Sequence, residues 1–170
     1  MIYLKEKKIM RQVLLCLGIR ENRGLITEIL LAMKKRGFGA NRWNGLGGKI
    51  DLEKGDKDVF DSAIRESQEE ACIVPKNLEK VAIIDFYFPG DKKKNDQQVH
   101  IFVFNEWDGE PEETEEMKPE WFLVESIPYN EMWDDDKYWL PHVLDNRRFI
   151  GTFFFDENDK VVEHKIDFVE

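Results

Sequence analysis

The segment RESQEEACI, residues 65–73, carries Glu66, Glu69 and Glu70 close behind Arg65. On a helix over 57–71, turning about 100° per residue, Val59, Phe60, Ala63, Ile64, Ser67 and Ala71 share one stripe. The three glutamates line the border of that stripe, and Glu66 and Glu70 stack one turn apart. Like charges so placed cost a helix roughly 0.2–0.5 kcal/mol per pair, a cost that a divalent cation between them would offset. Carboxylates are hard oxygen donors and suit Mg2+ or Mn2+. A plainer reading stands beside this one. In a chain with 35 acidic residues, a glutamate cluster is a solvated helix face, and Arg65 with Glu69 is an ordinary i,i+4 pair. The loop before the helix favours the cation. RGFGANRWNGLGG, residues 36–48, holds five of the eleven glycines, and its Gly47-Gly48 lets backbone approach a ligand closely.

A second chemical stretch is WDDDKYW, residues 133–139. Asp134, Asp135 and Asp136 stand just before an expected helix. One of them would cap it, and three exceed that need.

These residues need a scaffold. Strands are expected at 11–19 and 25–34, and again at 81–88 and 99–107 around a Lys-rich tip, PGDKKKNDQ, that reads as solvated. An acidic loop at 109–120 precedes a strand at 121–127. A second helix is expected near 136–147, with Pro141 in its first turns or at a bend. Residues 149–169 read as a closing hairpin turning at ENDK. Residues 1–9 read as an extension, with Met10 as an alternative start, and 10–170 as one domain. Antiparallel strands with two helices make an α+β fold.

Composition excludes some functions. The net charge is −10, which opposes binding to nucleic acid polymers or an anionic membrane, since phosphate contacts want Lys or Arg. It does not oppose a small phosphorylated ligand carried with a metal ion. The best apolar run, VLLCLGI at 13–19, is too short to span a bilayer, which takes about 20 residues. No small-residue cleavage site follows it, so a signal peptide is rejected. Two cysteines make no disulfide framework. A reduced, cytoplasmic monomer is expected, with nuclear or mitochondrial copies left open.

The stretch GKIDLEKGDKDVFDSAIRESQEEACI, residues 48–73, resembles the signature of the Nudix hydrolases, G-x5-E-x7-R-E-U-x-E-E-x-G-U with U bulky and apolar. The R-E-x-x-E-E core is intact. Four departures stand out. The loop is three residues longer, around LEK; the first signature Glu falls on Lys57, with Asp56 or Asp58 as substitutes; Ser67 replaces the bulky residue; Cys72 replaces the last Gly. The segments at 33–49, 109–122 and 132–141 closely resemble the MutT-type animal members that act on oxidised purine nucleoside triphosphates.

The resemblance implies a Nudix fold, a mixed β-sheet between two helices with a loop-helix-loop. It implies metal ions held by Glu66, Glu69, Glu70, Glu116 and the carbonyl of Gly47, with Leu46, Gly48 and Lys49 on the loop near the ligand. It implies Lys34 at the nucleotide and Arg65 orienting a carboxylate. It also implies a base pocket: Trp133 stacked on the purine plane, Asp135 and Asp136 at its edge beside Asp134, and Asn44 opposite. Phe38 and Phe86 match wall positions, though lone aromatics also read as core. Gln12 and Gln97 are weak matches on the wall. A close, partly buried carboxylate pair holds one proton above its ordinary pKa, and so could suit both oxidised guanine and oxidised adenine. His100 and His142 read as structural and His164 as exposed.

The function expected is Mg2+-dependent hydrolysis of oxidised purine nucleoside triphosphates, such as 8-oxo-dGTP and 2-hydroxy-dATP, to monophosphate and pyrophosphate. Two rivals use the same residues. One is a Nudix hydrolase of another nucleotide: a methylated purine nucleotide, a dinucleoside polyphosphate or ADP-ribose. The other is a nucleotide-binding module without catalysis, for which Lys57 and the longer loop speak.

Overall fold

Strict alternation in β1 (Arg11–Asn22) sets the layers. Leu14 and Cys16 are buried on one side of the sheet, among Ala63, Ala71, Phe102 and Phe104. Leu17 is buried on the other, with Val13 and Leu15 packed beside it, among Ile84, Phe86, Trp139 and Phe153. The computed structural model describes residues 10–170; the extension read over 1–9 lies outside them.

Around β1 the chain lays β2 (Leu25–Lys34), β3 (Trp43–Asn44), β4 (Leu46–Lys49), α1 (Val59–Ala71), β5 (Val74–Lys76), β6 (Glu79–Tyr87), β7 (Gln97–Phe104), β8 (Glu106–Asp108), β9 (Met117–Leu123), α2 (Asp136–Leu144), β10 (Arg148–Phe155) and β11 (Val161–Val169). The main sheet runs β11-β10-β6-β7-β1-β2-β3, with β4 on β1 and β9 on β2. It is mixed: β1 is parallel to β7 and β6 to β10, while the other pairs are antiparallel. β5 and β8 form a separate ribbon. The buried residues of α1 join the core on one face, and Trp139, Leu140 and Val143 of α2 join the core on the other. This is the α+β arrangement expected, a mixed sheet between two helices.

Along one edge β1 has two successive partners. β4 pairs over Val13–Cys16 and β2 over Gly18–Asn22. The sheet therefore opens where β4 leaves for α1, and the glycine-rich segment lies in that opening. The sequence reading had this segment as loop only; its end is instead held in register as β4. The expected 121–127 strand begins earlier, at Met117, and its end, Val124–Ser126, is a 3-10 turn. Residue 57 is outside α1 because Asp58 is the cap, its side chain accepting from the Asp61 N–H at 2.9 Å. Among the described residues, no helix is long and apolar enough to cross a membrane.

Candidate active site

The face that α1 buries is rotated from the one its apolar residues mark. Ser62, Ala63, Ser67 and Ala71 are fully buried and Glu70 nearly so, while Phe60 stays 43% exposed. Small residues allow close approach to β1 and β4. The Ser67 hydroxyl donates to the Ala63 carbonyl at 2.8 Å, and the Ser62 hydroxyl to the Lys49 carbonyl at 3.1 Å. Ser67, a departure from the signature, thus sits in a tight contact that a bulky residue would alter. The same rotation carries Glu70 inward from the border.

Arg65 is the hub of this end. Its Nε and Nη2 meet both oxygens of Asp56 at 2.9 and 2.7 Å; Nη1 donates to Glu66 at 3.0 Å and Glu69 at 3.2 Å; Nη2 also donates to the Lys49 carbonyl at 3.1 Å. All five guanidinium donors are used. Of the two substitutes for the first signature Glu, Asp56 is the one that pairs with Arg65, and its carboxyl is held down at about 2, chiefly by the Arg65 hydrogen bond. Lys57 is exposed. The longer loop is closed off at its base. Asp51 N–H donates to Asp56 Oδ2 at 2.8 Å, Asp56 N–H to the Asp51 carbonyl at 3.2 Å, and Leu52–Lys54 form an exposed 3-10 turn between them. Lys54 reaches Glu69 at 3.5 Å.

Glu70 accepts the Gly47 N–H at 3.0 Å. Burial, first, pushes its carboxyl up to about 8, and the charges of Glu66 and Glu116 push the same way, against Lys34. Glu66 is also raised, by burial, despite Arg65. Gly47 must be glycine because a Cβ there would collide with the Leu14 backbone carbonyl oxygen, and a Cβ at Gly48 would displace the Glu66 carboxylate. Among the described residues, no three His, Cys, Asp or Glu side chains converge on one point as a metal cage. The donor set nonetheless fits a hard cation: oxygen donors only, with mutual repulsion that a positive charge would relieve.

A cavity of about 310 Å3 joins this end to a second one. Lys34, Gly47, Gly48, Lys49 and Glu70 line it at the α1 end; Phe38, Asn44, Phe86, Trp133, Asp135 and Asp136 line the rest. Asp135 Oδ2 accepts from the Trp139 indole N–H at 2.7 Å. Asp136 Oδ2 is buried with no partner among the described residues. Burial, first, raises both carboxyls above the ordinary carboxylate range, and the Asp135 charge raises Asp136 further. Asn44 Oδ1 accepts from the Gly45 N–H at 2.9 Å, which fixes its amide and leaves the NH2 group as donor.

Some expected site residues stand elsewhere. Asp134 turns away from the cavity and bonds the Val161 N–H and the Lys137 ammonium, both at 2.9 Å. None of the three aspartates was found to cap α2: Asp135 holds the cap position but makes no capping bond. Gln12 meets His100 at 2.6 Å, away from the cavity, because its side chain lies on the opposite face of β1 from Val13. Leu46 is fully buried core. Glu116 is 54% exposed and pairs with Arg36 at 3.1 Å, outside the cavity wall. Gln97 does line the cavity. Sequence reasoning missed Arg11, Phe88, Trp139 and Phe155 on the wall. A signal existed: Phe88 follows Phe86, and Phe155 follows Phe153, by the strand period of two.

A family model described as NUDIX domain matches residues 10–143. Among curated relatives, the "Oxidized purine nucleoside triphosphate hydrolase" of Danio rerio is 44% identical over 143 residues, covering 84% of this chain and 88% of its own. The Mus musculus protein of the same name is 42% identical over 139 residues, covering 82% and 86%. Among solved structures, a mutator MutT protein from Bacillus halodurans superposes with a TM-score of 0.77 at 25% identity, covering 93% of this chain and 98% of its own.

Proposed function

The chain belongs to the NUDIX family, and we propose that it hydrolyses oxidised purine nucleoside triphosphates, such as 8-oxo-dGTP and 2-hydroxy-dATP, to monophosphate and pyrophosphate. One observation carries this reading: a single cavity has Glu70 of the acidic helix and the glycine loop at one end, with Glu66 and Glu69 outside its wall, and a Trp133, Asp135, Asp136 set at the other. That is room for a triphosphate and a purine together. The names borne by the Danio rerio and Mus musculus relatives support it.

At the base end, Trp133 stacks on the purine. Asp136 holds a proton and donates; Asp135, pinned by Trp139, accepts. Moving that proton lets the pair serve bases whose edges differ in donors and acceptors. Asn44 donates from the other side. At the phosphate end, Lys34 and Lys49 offset charge on the triphosphate. Glu66, Glu69 and Glu70, with Glu116 and the Gly47 carbonyl, are the residues that would hold Mg2+, or Mn2+ in its place; bound there, the cation supplies charge neutralisation and activates water for attack on phosphorus. A glutamate of α1 accepts the proton of the attacking water, and Arg65 fixes the carboxylates of Glu66 and Glu69 that surround it. We further read the protein as a cytoplasmic monomer acting on a small nucleotide.

Glu70→Gln tests the assignment. It keeps size and removes the ionisable oxygen that would hold the cation. Pyrophosphate release should fall by about a hundredfold or more, with the purine nucleoside monophosphate still bound at the base end. Full turnover in this variant would remove Glu70 from the chemistry.

A further inference from the structure

Trp133 precedes α2 on a segment without regular structure, so helix geometry does not set its plane. Phe38, Phe155 and Phe88 surround it on the cavity side, with ring centroids at 5.1, 5.8 and 6.1 Å. Gly39 lies so near its indole that a Cβ would stand 3.1 Å from Nε1. Beyond these, the Arg42 guanidinium carbon sits over the Trp133 ring, 4.2 Å from its centroid. Arg42 is not part of the cavity wall, so the face it covers is the outward one.

Arg42 is itself held. Its Nη2 meets Asp159 Oδ2 at 3.4 Å, and the other oxygen of Asp159 takes the Lys92 ammonium at 2.9 Å. Lys92 also donates to the Glu157 carbonyl at 2.8 Å. The Lys-rich tip, expected to be merely solvated, is thus tied to the β10–β11 turn. That turn is rigid in its own right: Asp156 Oδ1 accepts from the N–H groups of Asn158 and Lys160 at 2.8 and 3.0 Å. Val161, at the end of the turn, donates to Asp134, the neighbour of Trp133. Three segments far apart in sequence therefore meet at Asp159, immediately outside the stacking wall.

We infer that Asp159 is a positioning residue for base recognition: through Arg42 it fixes the plane of Trp133, and through Lys92 it locks the adjoining turns around it. The inference rests on the purine reading of the cavity. Arg42 and Asp159 are partly exposed, with side-chain exposures of 32% and 25%, so their pairing is modest and its loss leaves the fold intact. The cation–ring contact is of similar size. The effect belongs in binding of the base and not in the phosphate chemistry.

Asp159→Asn keeps the shape and removes the charge, and asparagine tolerates the left-handed backbone at this position (φ 59°). KM for an oxidised purine triphosphate should rise about three- to tenfold while kcat stays within about twofold. Binding of the corresponding monophosphate, measured without metal, should weaken by the same factor. In a Trp133→Ala background the substitution should change neither value further. An equal loss in that background, no loss in the wild-type background, or a loss confined to kcat would overturn the inference. Acrylamide quenching of Trp133, read as the difference between chains with and without Trp133→Phe, gives a readout that needs no substrate. Greater quenching in Asp159→Asn is expected, and unchanged quenching would overturn the positioning role. If the wild type binds no purine monophosphate while quenching still rises, the functional reading fails and the brace around Trp133 stands.

Discussion

Asp135 and Asp136 are fully buried carboxyls side by side, and only Asp135 has a bonded partner. A protein tolerates that arrangement when one of the two stays protonated. Their raised folded-state values have a defined consequence for stability. A group whose carboxyl is raised on folding contributes stability that is full below its unfolded value and is lost as pH rises through the folded one. Asp136→Asn mimics the protonated form permanently. Its melting temperature should match wild type near pH 4 and exceed it at pH 8. Each kcal/mol of that difference in stability raises the melting point of a chain this size by about 2–4 °C, so a gap that opens as pH rises is the expected signature. An equal gap at both pH values would contradict a shared proton. The sequence displayed three aspartates but not their division of labour. Asp134 faces outward to Val161, 27 positions away, and no local pattern foretells that partner.

At the scale of the element, α1 was legible in outline and misread in rotation. Its acids and its end follow from local sequence, but the Asp58 cap that starts it was missed, and its buried face is set by how closely β1 and β4 approach. Ser62 and Ser67 are polar letters that bury fully because backbone carbonyls receive their hydroxyls. Arg65 was left between two readings, and the structure adds a partner that neither named: Asp56, whose side chain is 3% exposed against 14% for Arg65, while the i,i+4 bond to Glu69 is also made. The end of the helix carries a strain. Cys72 caps it in the left-handed region (φ 60°) where the signature has Gly, a conformation costing a side chain roughly 1–2 kcal/mol. Cys72→Gly relieves that strain and returns part of it as backbone entropy. Chemical denaturation should show a gain of up to about 1 kcal/mol with the slope unchanged; a loss of stability would mean the Cys72 side chain holds something its exposure does not reveal.

Across the whole molecule, the strands and the two helices were readable from periodicity, the layering came from the family resemblance, and the parallel pairings ran against the antiparallel reading. β1 parallel to β7 and β6 parallel to β10 are long-range pairings that alternating apolar residues do not specify. Those pairings matter to function. The first of them, with the antiparallel β6–β7 pair, sets Val13, Val99 and Ile84 in one row and Arg11, Gln97 and Phe86 in the next, and so makes one cavity out of motifs that are distant in sequence. The loop that carries Gly47 and Gly48 reaches the acidic helix only because β4 takes the edge of β1 that β2 leaves free. The central claim is that both ends of this cavity act on one substrate. Pyrophosphate release with Mg2+ from dGTP, 8-oxo-dGTP, dATP, 2-hydroxy-dATP, ADP-ribose and diadenosine tetraphosphate tests it most directly. Strong preference for the two oxidised triphosphates is expected; turnover of the larger ligands alone, or of none of the six, would contradict a shared substrate.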